Sequence, residues 1–181
     1  MAFFSDYVAY FKHQAQTHPD LLHLDTNGNK IFAVIDQQAA VGDFRSGAKE
    51  KGFILRLIEP GGGAEGDANP LVTPLGGFII ARYHAQRLTG DYDQTAAMDA
   101  AWRVGMDIIV KMLADSQNGH PLFKYSINTP AMLNLQWQPR LFVGDTAYAG
   151  WLFTFRWKLT LNTCIGAPSG TVWADGGLTP Y

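Results

Sequence analysis

Residues 150–161 alternate strictly: Trp151, Phe153, Phe155, Trp157, Leu159 and Leu161 occupy one set of positions, and Leu152, Thr154, Arg156, Lys158 and Thr160 the other. A period of two sends successive side chains to opposite faces, so this spacing predicts a long half-buried strand with the aromatic set inward. The same period runs upstream, where Leu133, Leu135, Trp137, Leu141 and Val143 alternate with Asn134, Gln136, Gln138 and Arg140. Pro139 has no N–H to give to a ladder, which confines that strand to a sheet edge or a bulge. With residues 144–149 as the turn, the C-terminal third is expected to be one long hairpin of about 30–40 Å at roughly 3.3 Å per residue. Such an overhang is available to pair with, or lie on, a neighbour.

Elsewhere the period changes to that of a helix. Phe4, Tyr7, Val8, Phe11 and Ala15 recur at helical spacing while Asp6, Lys12, Gln14 and Gln16 face away, which predicts an amphipathic N-terminal helix. Ser5 is its expected cap, and His18-Pro19 its end, because the residue before proline avoids helical geometry. A longer helix is predicted over residues 92–116. Its inward stripe is Met98, Ala101, Trp102, Gly105, Ile108, Ile109, Met112 and Leu113, and Asp99, Arg103, Asp107, Lys111 and Asp115 are expected on the opposite face. Asp99–Arg103 and Asp107–Lys111 then form acid-before-base pairs, Asp91 or Asp93 caps the start, and Asn118-Gly119 ends it. Ala101 and Gly105 leave the inward stripe thin, so this is the helix expected to lie across the sheet, with Trp102 filling the space beside them.

Residues 21–24 and 31–35 flank Asp25-Thr26-Asn27-Gly28-Asn29, whose residue types suit a hairpin or a loop into a strand. Residues 37–52 read as irregular or as a short helix weakened by Gly42 and Gly47. The apolar runs 53–59 and 77–84 are expected to pair antiparallel across Pro60-Gly61-Gly62-Gly63-Ala64-Glu65-Gly66, which reads as a mobile loop ending near Pro70. The expected organisation is therefore a single α+β domain over residues 1–181. Its sheet is mostly antiparallel and packed by the two helices, with an inserted Gly-rich loop at 60–70 and an irregular tail at 166–181.

Composition narrows the function classes. The chain has 181 residues, 47% of them hydrophobic and only 17% charged, which suits one core of ordinary domain size beneath an unusually uncharged surface. Self-association would cover some of that surface. A net charge of −2 supplies no general attraction to a phosphate backbone, which argues against sequence-specific nucleic-acid binding. The single cysteine, Cys164, cannot form an internal disulfide, so folding in a reducing cytoplasm is expected. Residues 1–11 lack the pattern of a signal peptide, and no run approaches the roughly 20 apolar residues of a membrane span.

Candidate chemistry gives way to plainer readings. The glycines of 61–66 lack the Lys-Ser/Thr ending of a phosphate loop and do not open a helix. His13, His18 and His23 recur every fifth residue, a spacing that does not gather ligands on a helix face. Asp91-Tyr92-Asp93 offers paired carboxylates but sits where a helix start needs caps. His120, Ser126 and Asp145 show no nucleophile motif. Trp137, Trp151 and Trp157 have the inward spacing of core residues rather than of a sugar or base platform. No catalytic, cofactor or metal residue is assigned. The residues expected to make subunit or partner contacts are Arg156 and Lys158, on the outward face of the last strand, and Trp173 and Tyr181, the anchors of the tail.

The order of elements, with the helix Ala96-Ala97-Met98-Asp99-Ala100-Ala101-Trp102 onward and the closing strand Gly150-Trp151-Leu152-Phe153-Thr154-Phe155-Arg156-Trp157, resembles the tail terminator, or tail-completion, proteins of long-tailed bacteriophages. The resemblance implies an α+β virion protein of the neck, assembled in the bacterial host cytoplasm, and no enzyme. It implies a homo-oligomeric ring, a hexamer in that family, that caps the tail tube, joins it to the head connector and lets DNA pass. A tail-tube or head-tail connector subunit is the alternative within the same particle. A small-ligand-binding module or enzyme with a pocket under the 60–70 loop is the alternative outside it.

Overall fold

The period-two segments become one sheet and the helical segments two helices laid on it, so the fold is α+β. The computed structural model describes residues 3–24, 31–35, 52–65, 71–84, 92–120, 122–123, 133–142, 148–156 and 159–160. Helix α1 spans Phe3–Thr17 and α2 Tyr92–Gln117; the strands are β1 (Phe32–Ile35), β2 (Phe53–Glu65), β3 (Leu71–Tyr83), β4 (Leu133–Phe142), β5 (Tyr148–Arg156) and β6 (Leu159–Thr160). The sheet order is β1-β2-β3-β5-β4, with β6 on β3 beyond the end of β5. Only β1 and β2 run parallel among these strand pairs.

The core lies between the helices and one face of the sheet. Register places Leu55 against Ile80, Leu57 against Phe78 and Phe78 against Phe153. These residues and Phe155 are buried against Tyr7 and Phe11 of α1 and Ala101, Val104, Ile108 and Met112 of α2. The thin stripe of α2 works as its sequence predicts. A Cβ on Gly105 would run into the Phe153 ring, so only glycine lets the helix backbone rest on that aromatic. His120 N–H donates to the Asp115 carbonyl at 2.9 Å across Asn118-Gly119, closing the helix where expected.

Several expectations change. Ser5 lies inside α1, which begins at Phe3. The loop expected at 60–70 is strand as far as Glu65: Gly61, Gly62, Gly63, Ala64 and Glu65 pair with Leu75, Pro74, Thr73, Val72 and Leu71. Glycine lacks side-chain packing but keeps both ladder groups, and the neighbouring strand decides the conformation. Residues 21–24 are not strand, and β1 joins β2 in parallel, so the first connection leads into a strand and makes no hairpin there. The closing aromatic strand is described as β5 and β6, beginning at Tyr148 inside the expected turn. Asp93, one of the two expected caps, lies inside α2, which begins at Tyr92, and the other, Asp91, lies outside the described residues, as do residues 37–51 and 161–181.

The outward face of the sheet is also covered in its centre. Ile54, Ile58, Ile79, Ala81 and Tyr148 form a second buried cluster with Leu152 packed on it. The strict alternation of residues 150–161 therefore separates two apolar faces at one end of β5. It separates apolar from polar only towards the exposed Arg156.

Candidate functional site

Of the four expected contact residues, Arg156 is described and the other three, Lys158, Trp173 and Tyr181, lie outside the described residues. Arg156 is exposed at the end of β5, in register with Leu75 of β3 and Leu133 of β4. On its face the half-buried Thr154 faces Gln136, and Gln138 faces Leu152. The strip thus passes from the apolar second cluster to uncharged polar groups and then to one cation.

A longer feature begins where the helices stop. The buried apolar side chains of β2 and β3 end at Ile58 and Phe78, with Gly77 and Gly76 buried beyond, and there the register shifts between Ile58 and Gly61. A register shift removes ladder partners. Tyr7 of α1 supplies them: its hydroxyl oxygen accepts the Gly77 N–H at 3.1 Å and lies 3.3 Å from the carbonyls of Ile58 and Gly77, to which it can donate. The phenol is fully buried, and that burial raises its pKa well above the ordinary tyrosine value. Past this staple the ladder continues for the five pairs from Gly61 to Glu65, roughly 17 Å at 3.3 Å per residue, with β6 on its outer side at Leu71 and Val72. The β2 side of this three-stranded arm, Pro60, three glycines and Ala64, contributes backbone hydrogen bonds with little side chain, opposite Leu71 to Leu75 of β3.

The β4 edge is a second candidate surface. Trp102 of α2 sits edge-on to Trp137 of β4 at 5.4 Å and to Trp151 of β5 at 5.0 Å. Trp151 donates its Nε1–H to the Met98 carbonyl at 3.0 Å. Trp137 is 49% exposed and Leu141 53%, so the regular spacing that predicted an inward Trp137 holds for its direction and fails for its burial. The reason is position: β4 is the outermost of the described strands on this side, and α2 crosses over β3 and β5. Pro139 sits in the middle of that edge, as expected, and removes a donor that an added strand would need.

The junction of α1 and α2 carries the buried polar groups. Asp115, expected on the open face, is buried and accepts from Tyr10 Oη at 2.9 Å and from Lys111 Nζ. Tyr10 also meets the His120 ring edge-on at 5.0 Å. Burial first, and then the Asp115 carboxylate, raise the Tyr10 pKa. A phenol held neutral against a carboxylate already matched by an ammonium is an anchor between helices, with no nucleophile or free base in it. On the second face, Arg56 is buried and donates Nη1–H to the Ile31 carbonyl at 2.6 Å, the same carbonyl that accepts Leu55 N–H at 2.9 Å. Burial holds its pKa below the usual guanidinium value. This pair of donors ties the start of the parallel edge strand to β2.

Three histidines accept backbone hydrogen bonds. His18 Nδ1 accepts from Asp20 N–H at 3.1 Å, His23 Nδ1 from Phe32 N–H at 3.4 Å, and His120 Nδ1 from Leu122 N–H at 3.2 Å. Ser126 and Asp145 lie outside the described residues. Among the described residues no three His, Cys, Asp or Glu side chains gather as a metal site, and no helix is long and apolar enough to cross a membrane. Sequence reasoning missed Tyr7, Tyr10 and Arg56. Arg56 alone carried a signal, as a cation inside the apolar run Ile54-Leu55-Arg56-Leu57-Ile58. No protein-family model matches this chain, and no curated protein does.

Proposed function

We propose that this chain is a structural ring subunit, a tail terminator of a long-tailed phage that ends tail-tube polymerisation and joins tail to head. The observation that carries the reading is the β2–β3–β6 arm. It extends the sheet past Ile58, the last buried core residue of β2, on a strand of proline, glycine and alanine that is rich in backbone and poor in side chain. An arm of that kind reaches a neighbouring subunit, and a head-to-tail contact closes into a ring when its rotation closes. The half-exposed Trp137 and Leu141, and Arg156 at the arm's base, suit burial against sister copies. In this reading the mechanism is occupancy. One ring face binds the last tube ring, the other presents no tube-like surface and meets the head connector, and DNA passes through the hole.

Particle imaging of the full chain, with light scattering on the same sample, tests this. Closed rings with a central hole are expected, six copies by resemblance. A monomer at the highest soluble concentration overturns the reading.

A further inference from the structure

One face of α2 stays exposed beside the junction with α1. Along it Asp99, Arg103, Asp107 and Lys111 recur at steps of four, and the side chains of Arg103, Asp107 and Lys111 are 66%, 58% and 55% exposed. Val110, 59% exposed, stands among them, with the half-buried Met106 and Leu113 beside it at helical spacing.

The pairing within the helix that the sequence suggests is not the pairing found. Arg103 reaches Asp20 at 3.1 Å, Lys111 reaches Asp115, and Asp107 lies 3.6 Å from His18 Nε2. These contacts leave donors over, since an ammonium has three and a guanidinium five. The exposed row remains one of alternating sign, which constrains what can lie against it.

We infer that this face of α2 binds the same face of a second copy across a two-fold axis, with the two helices antiparallel. Turning one helix end for end about the point midway between Arg103 and Asp107 sets Asp99 against Lys111 and Arg103 against Asp107, and the two-fold repeats each pair. Parallel alignment in the same register sets every charge against its own kind, so the row itself selects the antiparallel arrangement. The same turn brings Val110 opposite Ala100, and Ala114 opposite Ala96. Small residues facing each other allow the 8–10 Å or so approach of packed helices. The charges set orientation and register; Val110 supplies the apolar area, beside the exposed edges of Met106 and Leu113, which also pack on the core. This contact is isologous, unlike the head-to-tail contact of a ring, and it stands independently of the ring reading. Where both operate, the two-fold pairs one ring with another and the copy number is even.

Zero-length carbodiimide coupling of a mixture of ¹⁴N- and ¹⁵N-labelled full-length chain tests the pairing. An Asp99–Lys111 link joining one light and one heavy peptide is expected. Within one helix those residues are twelve positions apart, about 18 Å at 1.5 Å per residue, too far for such a link. The Lys111–Asp115 contact within each copy provides the control that the lysine reacts. Coupling at Lys111–Asp115 with no Asp99–Lys111 link between copies overturns the inference, whether or not rings form. The variant Val110→Asp, which brings new carboxylates into the contact, should raise the dissociation constant by at least roughly tenfold in sedimentation equilibrium while leaving the thermal midpoint in place. An unchanged constant also overturns it. Rings that lack the link would reject this contact and keep the ring reading; the link without rings would do the reverse.

Discussion

The β2–β3 hairpin has two halves that share a ladder and nothing else. In the half from Ile54 to Ile58, every side chain of β2 is buried, Leu55 and Leu57 under the helices and Ile54 and Ile58 on the far face. In the half beyond the bulge, Gly61 is half-exposed and Gly62 exposed, and the strand is proline, glycine and alanine until Glu65. An isolated two-stranded hairpin of such residues is marginal in water. This one persists because it continues a sheet already held by its core, because β6 adds a third strand, and because Tyr7 bonds the groups the bulge leaves behind. Strand formation in the first half follows from side-chain burial, and in the second from the neighbouring backbone.

Breaking the packed half should have the largest effect. Phe153 stacks on Phe78 at 5.1 Å and lies under Gly105. Phe153→Ala should lower stability by about 3–5 kcal/mol in urea unfolding, with all probes moving together. A loss confined to one element would show that the core is not shared by the helices and the sheet.

The junction between the halves is the next target. Tyr7→Phe leaves the buried Gly77 N–H without its acceptor and should cost about 1–3 kcal/mol, with faster amide exchange at Gly77 and through the arm. Unchanged exchange in the arm would uncouple it from α1. The same residue sets part of the alkaline response. Burial raises the folded-state pKa of Tyr7 and of Tyr10 above the unfolded value of about 10, so the stability held by the neutral phenols is complete below that pH. Above it the unfolded chain ionises first, and stability should fall by about 1.4 kcal/mol per pH unit for each phenol until its folded pKa is passed. Urea titrations at rising alkaline pH should show a shallower fall in Tyr7→Phe, and an identical slope would assign the response elsewhere.

The arm itself should give the smallest effect. Gly62 has a φ of 146°, which side chains rarely adopt, so Gly62→Ala should cost about 1 kcal/mol, the low end of such strain because the residue is exposed and the arm can relax, felt as faster exchange in residues 61–65 and 71–75. A global shift as large as that of Phe153→Ala would erase the distinction between the halves.

Much of the fold was legible because its signals are local. Most of the stripe of α2, the closing Asn118-Gly119 and the edge position of Pro139 each depend on spacing or on one residue's backbone chemistry and appear as read, though Ala97, Val104 and Asp115 are buried beside the expected stripe. The arm was not legible, since Pro60-Gly61-Gly62-Gly63 has the composition of a loop and only pairing with Leu75, Pro74 and Thr73 makes it strand. Nor was the direction of the charges on α2: helical spacing offers Asp107 to Lys111, but Asp115 is equally near along the helix and becomes buried beside Tyr10. Of the four residues expected to make contacts, Arg156 stands exposed on the strand where its alternation put it.

By itself the sequence determined the period of most elements, most of the face α2 turns to the sheet and the stopping points set by Pro19 and Gly119, whereas on α1 Phe4, expected inward, is exposed and Gln14, expected outward, is buried. Only the tertiary structure decided that β1 runs parallel to β2, that both faces at the sheet's centre are buried, and that Tyr7, Tyr10, Arg56 and Asp115 become anchors. Periodicity is a property of neighbours a few residues apart, whereas register, burial and the partner of a polar group are settled by residues distant in sequence, Tyr7 with Gly77 or Tyr10 with Asp115, that meet only once the chain has folded.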